Sequence, residues 1–458
     1  MKNALTIAGL VLLGGLSLGF YKLSPVLSGG SGYAAKNICS GHFISGFSGQ
    51  QIVDEALRGA SPLLADVSFD IDEVKGQVDA RFLGFFTRRA IYREHTGCTL
   101  LQAGQDSLDK DLRHAGDVPE PDPQAPWPSG AAPATASDGF DTILTEAFSE
   151  IDPQNMRSTK AVVIIHKGTL VAERYAEGVD AKTPLIGWSM TKSITSLLTG
   201  MRVLDGALSI HDPAPVPSWQ EDAGDPRAKI TLDQLLRMSS GLEFDETYAM
   251  FSDVQQMLSN EPDAGAFAAS MPLFAEPDTH WAYSSGTTNI VSGIVRRSLG
   301  GSLQSYYDFT RNRLFNPLGM TTAILETDAS GTFVSSSYSY VSARDWARLG
   351  QFCLLNGNWN GEQLLPENWI TYSTTPTPTH PYNNYGAHFW LNEIPENAEQ
   401  PGAWPSLPPD AYFMSGYQGQ FVAMVPSEDL VVVRLGFTPG KNHGVEELVA
   451  GAIEILNR

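Results

Sequence analysis

Gly187-Trp188-Ser189-Met190-Thr191-Lys192-Ser193 is the stretch around which the rest of the chain is organised. Beyond Lys192 the apolar residues Ile194, Leu197, Leu198, Met201 and Leu204 recur at three- and four-residue spacing, the period of one buried helix face. Ser189 falls where that helix begins, a place where a serine hydroxyl satisfies an orphan backbone N–H. Lys192 lies three residues on, about one turn above Ser189 on the same face. Two readings follow. Ser189 is a capping serine beside a solvated lysine, or it is a nucleophile whose proton a neighbouring base removes. The second requires a lysine kept neutral by burial or by nearby positive charge. The helix N-terminus adds free N–H groups and partial positive charge suited to a developing oxyanion.

With 458 residues the chain has room for two domains, or one large domain and an appendage. Its net charge of −21, with no basic run, excludes a nucleic-acid partner. Lys2 precedes an uncharged apolar run from Ala4 to Phe20. That run is long for a signal-peptide core and short for a membrane span. An uncleaved N-terminal anchor at the membrane is favoured over a cleaved signal, and either exports the remainder to the cell envelope. In an oxidising compartment Cys39 and Cys98 form a disulfide and Cys353 stays buried and inert. No cysteine or histidine pair has metal-ligand spacing, so neither a metal nor another cofactor is expected.

Residues 1–24 thus form the anchor or signal segment. Residues 25–115 are read as a stalk, Pro25 to Tyr33 with Ser28-Gly29-Gly30-Ser31-Gly32, followed by a small region. That region holds a short helix at Gln51–Leu57 and strands at Val67–Ile71 and Gln77–Leu83, with Arg88, Arg89 and Arg93 as a solvated basic face. Residues 116–137, rich in Pro, Ala and Asp, are read as a linker. The large domain, 138–458, opens with a helix near Phe140. Apolar strands Ala161–His166 and Thr169–Tyr175 follow, joined at Lys167-Gly168. It closes with strands Phe421–Val425 and Leu430–Leu435 and an amphipathic helix, Val445–Leu456. Strand pairs at both ends with helical material between predict an α/β (α+β) domain, one antiparallel sheet built from both ends with helices on its faces.

Three phrases now line up: Ser189-x-x-Lys192, then Tyr283-Ser284-Ser285, then Gly416-Tyr417-Gln418-Gly419 ahead of the closing strands. In this order they resemble the three motifs of the serine β-lactamase and penicillin-binding superfamily. The branch they resemble is that of class C-like esterases and 6-aminohexanoate-dimer hydrolases. Ile230-Thr231-Leu232-Asp233-Gln234-Leu235-Leu236 and Asn316-Pro317-Leu318-Gly319-Met320 support the likeness, which runs from about Phe140 to the C-terminus. It implies that an ester or amide carbonyl acylates Ser189, with Lys192 and Tyr283 sharing proton transfer. It implies an oxyanion hole from the backbone N–H groups of Ser189 and Gln420. Tyr248, Ser285, Tyr417, Gln418 and Gly419 become substrate-contact candidates, Gly419 by letting an edge strand approach the substrate. A lysine cation is expected to loosen the Tyr283 proton.

Two departures bear on the substrate. Ser285 stands where lactamases carry asparagine, and Tyr417-Gln418 where they carry a lysine and a small hydroxyl residue. Loss of that lysine removes a charge-assisted contact to substrate carboxylates worth on the order of 1.5–3 kcal/mol. The expected activity is therefore that of an esterase or amidase on a small, less anionic molecule rather than an efficient β-lactamase. A non-catalytic envelope-binding protein on the same fold, and a penicillin-binding-type peptidase, are the alternatives. His380, His388 and His443 are expected at the surface.

Overall fold

Period-two alternation in three apolar strands dictates the architecture. Val163 and Ile165, Val422 and Met424, and Val431, Val433 and Leu435 point to one side of a sheet. Val162 and Ile164, Phe421 and Ala423, and Leu430 and Val432 point to the other. Strands this apolar on both faces need cover on both. The computed structural model describes residues 24, 27–102, 104–105, 107–108, 112–113, 121–134, 139–150, 152, 156–249, 251–392 and 404–458. In it a six-stranded antiparallel sheet runs Trp390–Leu391, Tyr412–Gly416, Gln420–Val425, Leu430–Gly436, Thr159–His166, Thr169–Tyr175. The two ends of the domain meet at its centre, with Val433 opposite Val163 and Val431 opposite Ile165. Helices Phe140–Phe148 and Val445–Leu456 cover one face. Helix Ala343–Leu354 and the helical body with the Ser189 stretch cover the other. This is the expected α/β architecture.

Helix Thr191–Leu204 departs from the expected single buried face. Every residue from Thr191 to Met201 is buried, and Leu204 alone of the expected apolar set is exposed. Its hydroxyl residues make this possible by bonding to the surrounding chain. Ser193 donates to His388 O at 2.7 Å and Thr195 to Ser335 O at 3.2 Å. A buried polar side chain is tolerated when its hydrogen bond is supplied.

The N-terminal region corrects two readings. Residues 27–43 are helical, including 27–33 of the stretch expected to be a flexible stalk. The small residues are contact surface: a Cβ on Gly30 would meet the Phe82 ring at 2.9 Å. This helix packs on a four-stranded antiparallel sheet, Ser68–Asp72, Gln77–Phe82, Phe85–Arg93 and Gly97–Leu100. Nor is the basic cluster a solvated face. Arg88 is buried and donates to Ser28 Oγ, Asn260 Oδ1 and Leu101 O. Cys39 and Cys98 are disulfide-bonded, with Cα atoms 6.1 Å apart; Cys353 is buried and free. Lys36 forms a buried ion pair with Glu326, which also accepts from Ser40 Oγ at 2.8 Å and Cys98 N at 2.6 Å.

Residues 121–134, inside the stretch read as a linker, lie strapped to helix Ala343–Leu354. Arg348 donates to Pro128 O and Arg344 to Ala131 O. The anchor expected at Ala4 to Phe20 lies outside the described residues. Among those described, no helix is long and apolar enough to cross a membrane.

Candidate active site

Ser189 occupies a tight turn, Trp188–Met190, two residues before the helix that starts at Thr191. It does not cap that helix. Its Oγ lies 3.0 Å from Lys192 Nζ. Trp188, just ahead, is held at φ +46°, a left-handed conformation that costs a non-glycine residue energy and recurs at functional turns.

Lys192 is 1% exposed. Its Nζ has three oxygen neighbours: Ser189 Oγ, Ser285 Oγ at 3.1 Å and Ser336 O at 3.0 Å. Burial disfavours the ammonium and brings its pKa down to about 8, with the Glu246 carboxylate pulling the other way. Tyr283 presents its ring to Nζ, centroid 4.8 Å away, and packs on Trp390 and Tyr385. Its phenol is not loosened by the lysine. Burial first, and Glu246 as well, push it well above its ordinary value, against a hydrogen bond with Ser189 that lowers it. Tyr283 therefore holds its proton at neutral pH.

Several expected contacts are redistributed. Ser285 is fully buried, so it belongs to the lysine's surroundings and not to a substrate surface. It starts helix Ser285–Ser298. Its hydroxyl and its N–H both donate to Glu246, the latter at 2.7 Å. Tyr248, 47% exposed, donates to the same carboxylate at 2.9 Å. Glu246 thus joins the site from a loop and is absent from the expected set. The signal available for it was its place two residues before the expected contact Tyr248.

Tyr417, 43% exposed, remains at the mouth. Its ring lies parallel to Tyr248 at 6.3 Å and edge-on to Trp188 at 5.8 Å, and Trp188 in turn stacks on Tyr33 of the N-terminal helix. Gln418, 4% exposed, turns away from the mouth and donates to Ala56 O at 2.9 Å. Gly419 also faces inward. A Cβ there would meet Arg434 Nη1 at 2.5 Å, and its φ of +79° suits glycine. The buried Arg434 donates to Gly419 O at 2.7 Å and to Gln418 O at 3.3 Å, pinning the turn that leads into Gln420. Strand Gln420–Val425 is interior to the sheet, so the expected edge-strand role for Gly419 does not hold.

Two of the three histidines expected at the surface are buried. His388 bonds the Lys192 carbonyl through Nδ1 at 3.0 Å, and burial takes its pKa down to about 3. His380 packs edge-on against Trp281 at 4.1 Å. His443, partly buried, lies against Phe421.

A buried lysine on a serine hydroxyl, beneath an antiparallel sheet closed from both termini, defines the class: a β-lactamase-like hydrolase fold. The chain belongs to the beta-lactamase family, whose match spans residues 144–450. An uncharacterized protein of Alkalihalophilus pseudofirmus is 24% identical over 321 residues, which cover 64% of this chain and 87% of that protein. Among solved structures, a protein provisionally assigned as a 6-aminohexanoate-dimer hydrolase from Bacillus anthracis superposes with a TM-score of 0.56 at 21% identity. It covers 71% of this chain and 87% of its own. A penicillin-binding protein homologue from Caulobacter crescentus superposes with a TM-score of 0.52 at 17% identity, covering 70% and 98%. At these identities the structures speak for the fold alone. The superfamily expected from the three motifs is the one found.

Proposed function

We propose that the protein is a serine hydrolase that cleaves a small ester or amide through an acyl-enzyme on Ser189. The observation that carries this reading is Lys192 Nζ, buried 3.0 Å from Ser189 Oγ and poised to lose its proton at about pH 8. As the free amine, Lys192 takes the Ser189 proton while Oγ attacks the substrate carbonyl. The backbone N–H groups of Ser189 and Gln420 receive the oxyanion. Tyr283, a neutral phenol at rest, passes its proton to the leaving group and takes back the one Lys192 received from Ser189. Water then attacks the acyl-enzyme by the same groups in reverse.

The mouth, formed by Tyr248 and Tyr417, offers aromatic surface, and the nearby Glu246 carboxylate disfavours an anionic acyl group. An ester or amide without a carboxylate beside the scissile bond fits better than a β-lactam. We place the enzyme in the cell envelope, held by the apolar segment Ala4–Phe20. The Cys39–Cys98 disulfide supports an oxidising compartment.

The test is intact-protein mass spectrometry after exposure to a fluorophosphonate, a fluorescent penicillin and a short-chain nitrophenyl ester, with Ser189→Ala alongside. An adduct present in the wild type and absent from the variant is expected. Absence of any adduct in folded protein would move the reading to a non-catalytic envelope-binding protein.

A further inference from the structure

A neutral lysine amine has two N–H donors and one lone pair. It can serve as a base toward Ser189 only if its other two neighbours accept. Ser336 O accepts by its nature. Ser285 Oγ could either donate or accept, and the single proton on that hydroxyl is committed to Glu246. With that proton turned away, Ser285 presents only lone pairs to Lys192. The amine's two hydrogens then go to Ser285 and Ser336, and its lone pair is left facing the Ser189 hydroxyl. Glu246 is itself fixed at three points: the Ser285 N–H at a helix N-terminus, the Ser285 hydroxyl and the Tyr248 phenol.

We propose that Glu246 is a positioning residue that, through Ser285, fixes the direction in which Lys192 offers its lone pair. This rests on the reading of Lys192 as the base. The titratable groups around the lysine are few. Glu246 comes from the 243–248 loop, Tyr283 precedes helix Ser285–Ser298, and His388 sits on the Lys192 carbonyl. The 335–337 segment supplies only serines. Around Glu246 lie Lys192, Tyr248, Tyr283 and Tyr385. Of all these, Glu246 is the one whose charge favours the ammonium form of Lys192.

The test is the pH profile of kcat/KM on a neutral nitrophenyl ester for wild type, Glu246→Gln, Glu246→Asp and Ser285→Ala. Glu246→Gln removes the charge and frees the Ser285 proton to cap the amine's lone pair. Both effects favour neutral lysine, so the acidic limb is expected to move down by on the order of one pH unit. The plateau falls about tenfold because the lone pair is occupied. Glu246→Asp restores the limb. Ser285→Ala keeps the charge, so its limb stays near that of the wild type while its plateau falls. A Glu246→Gln limb coincident with wild type would overturn the proposal, as would Ser285→Ala at full plateau rate should the first variant not fold. A wild-type rate flat from pH 6 to 9 would instead defeat Lys192 as the base, and this proposal with it.

Discussion

Lys192 sets two expectations for pH, and both rise with it. For catalysis, kcat/KM should rise with pH and reach half its plateau near pH 8, where the lysine becomes the free amine. For folding, the lysine's pKa is below its ordinary 10.5, so between about pH 8 and 10.5 the unfolded chain holds the extra proton and stability climbs with pH. At pH 7 the gap corresponds to roughly 3 kcal/mol against the fold. Lys192→Met should therefore unfold at a higher temperature than wild type at pH 7, lose that advantage by pH 10.5, and fail to acylate. Tyr283→Phe should lose about 10²–10⁴ in rate on an amide. Its loss should be smaller on a nitrophenyl ester, whose leaving group needs no proton; equal losses would remove Tyr283 from proton delivery. At this scale Ser189, Lys192 and Tyr283 were legible because each stands in a phrase with fixed spacing. Glu246 was not, because it lies 39 residues from the serine it serves in a loop of many acids. The misreading of Tyr283 had another cause: proximity to a cation is visible in the motif order, whereas burial is not.

At the scale of elements, the sheet was legible and the first helix was not. Both hairpins announced themselves by apolar runs and a turn, as at Lys167-Gly168. The glycines and serines of 28–32 read as flexible because their helical role lies in what they leave out. Phe82 and Leu100 occupy the space side chains would take. The same helix carries Lys36 into the core, where it meets Glu326. Lys36→Met should cost about 3–5 kcal/mol by stranding a buried carboxylate. Lys36→Met combined with Glu326→Leu should recover most of it, as measured by urea unfolding.

Across the whole molecule, the N-terminal region belongs to the site although its sequence shows no chemistry. Ala56 O holds Gln418, and Tyr33 stacks on Trp188, the residue before Ser189. Replacing Cys39 and Cys98 by alanine should lower stability by about 2–4 kcal/mol through the loop they close. It should also slow acylation of Ser189, where an appendage unconnected with the site would change stability alone. The buried pair has a further consequence, for the order of events in synthesis. Lys36 is made well before the carboxylate that neutralises it, which follows 290 positions later. A nascent chain that already carries Ser189 and Lys192 still lacks the partner that seats its first helix. The strands that complete the central sheet come later still. Closure of the central sheet over the Ser189 helix is thus deferred until strand Leu430–Gly436 has left the ribosome.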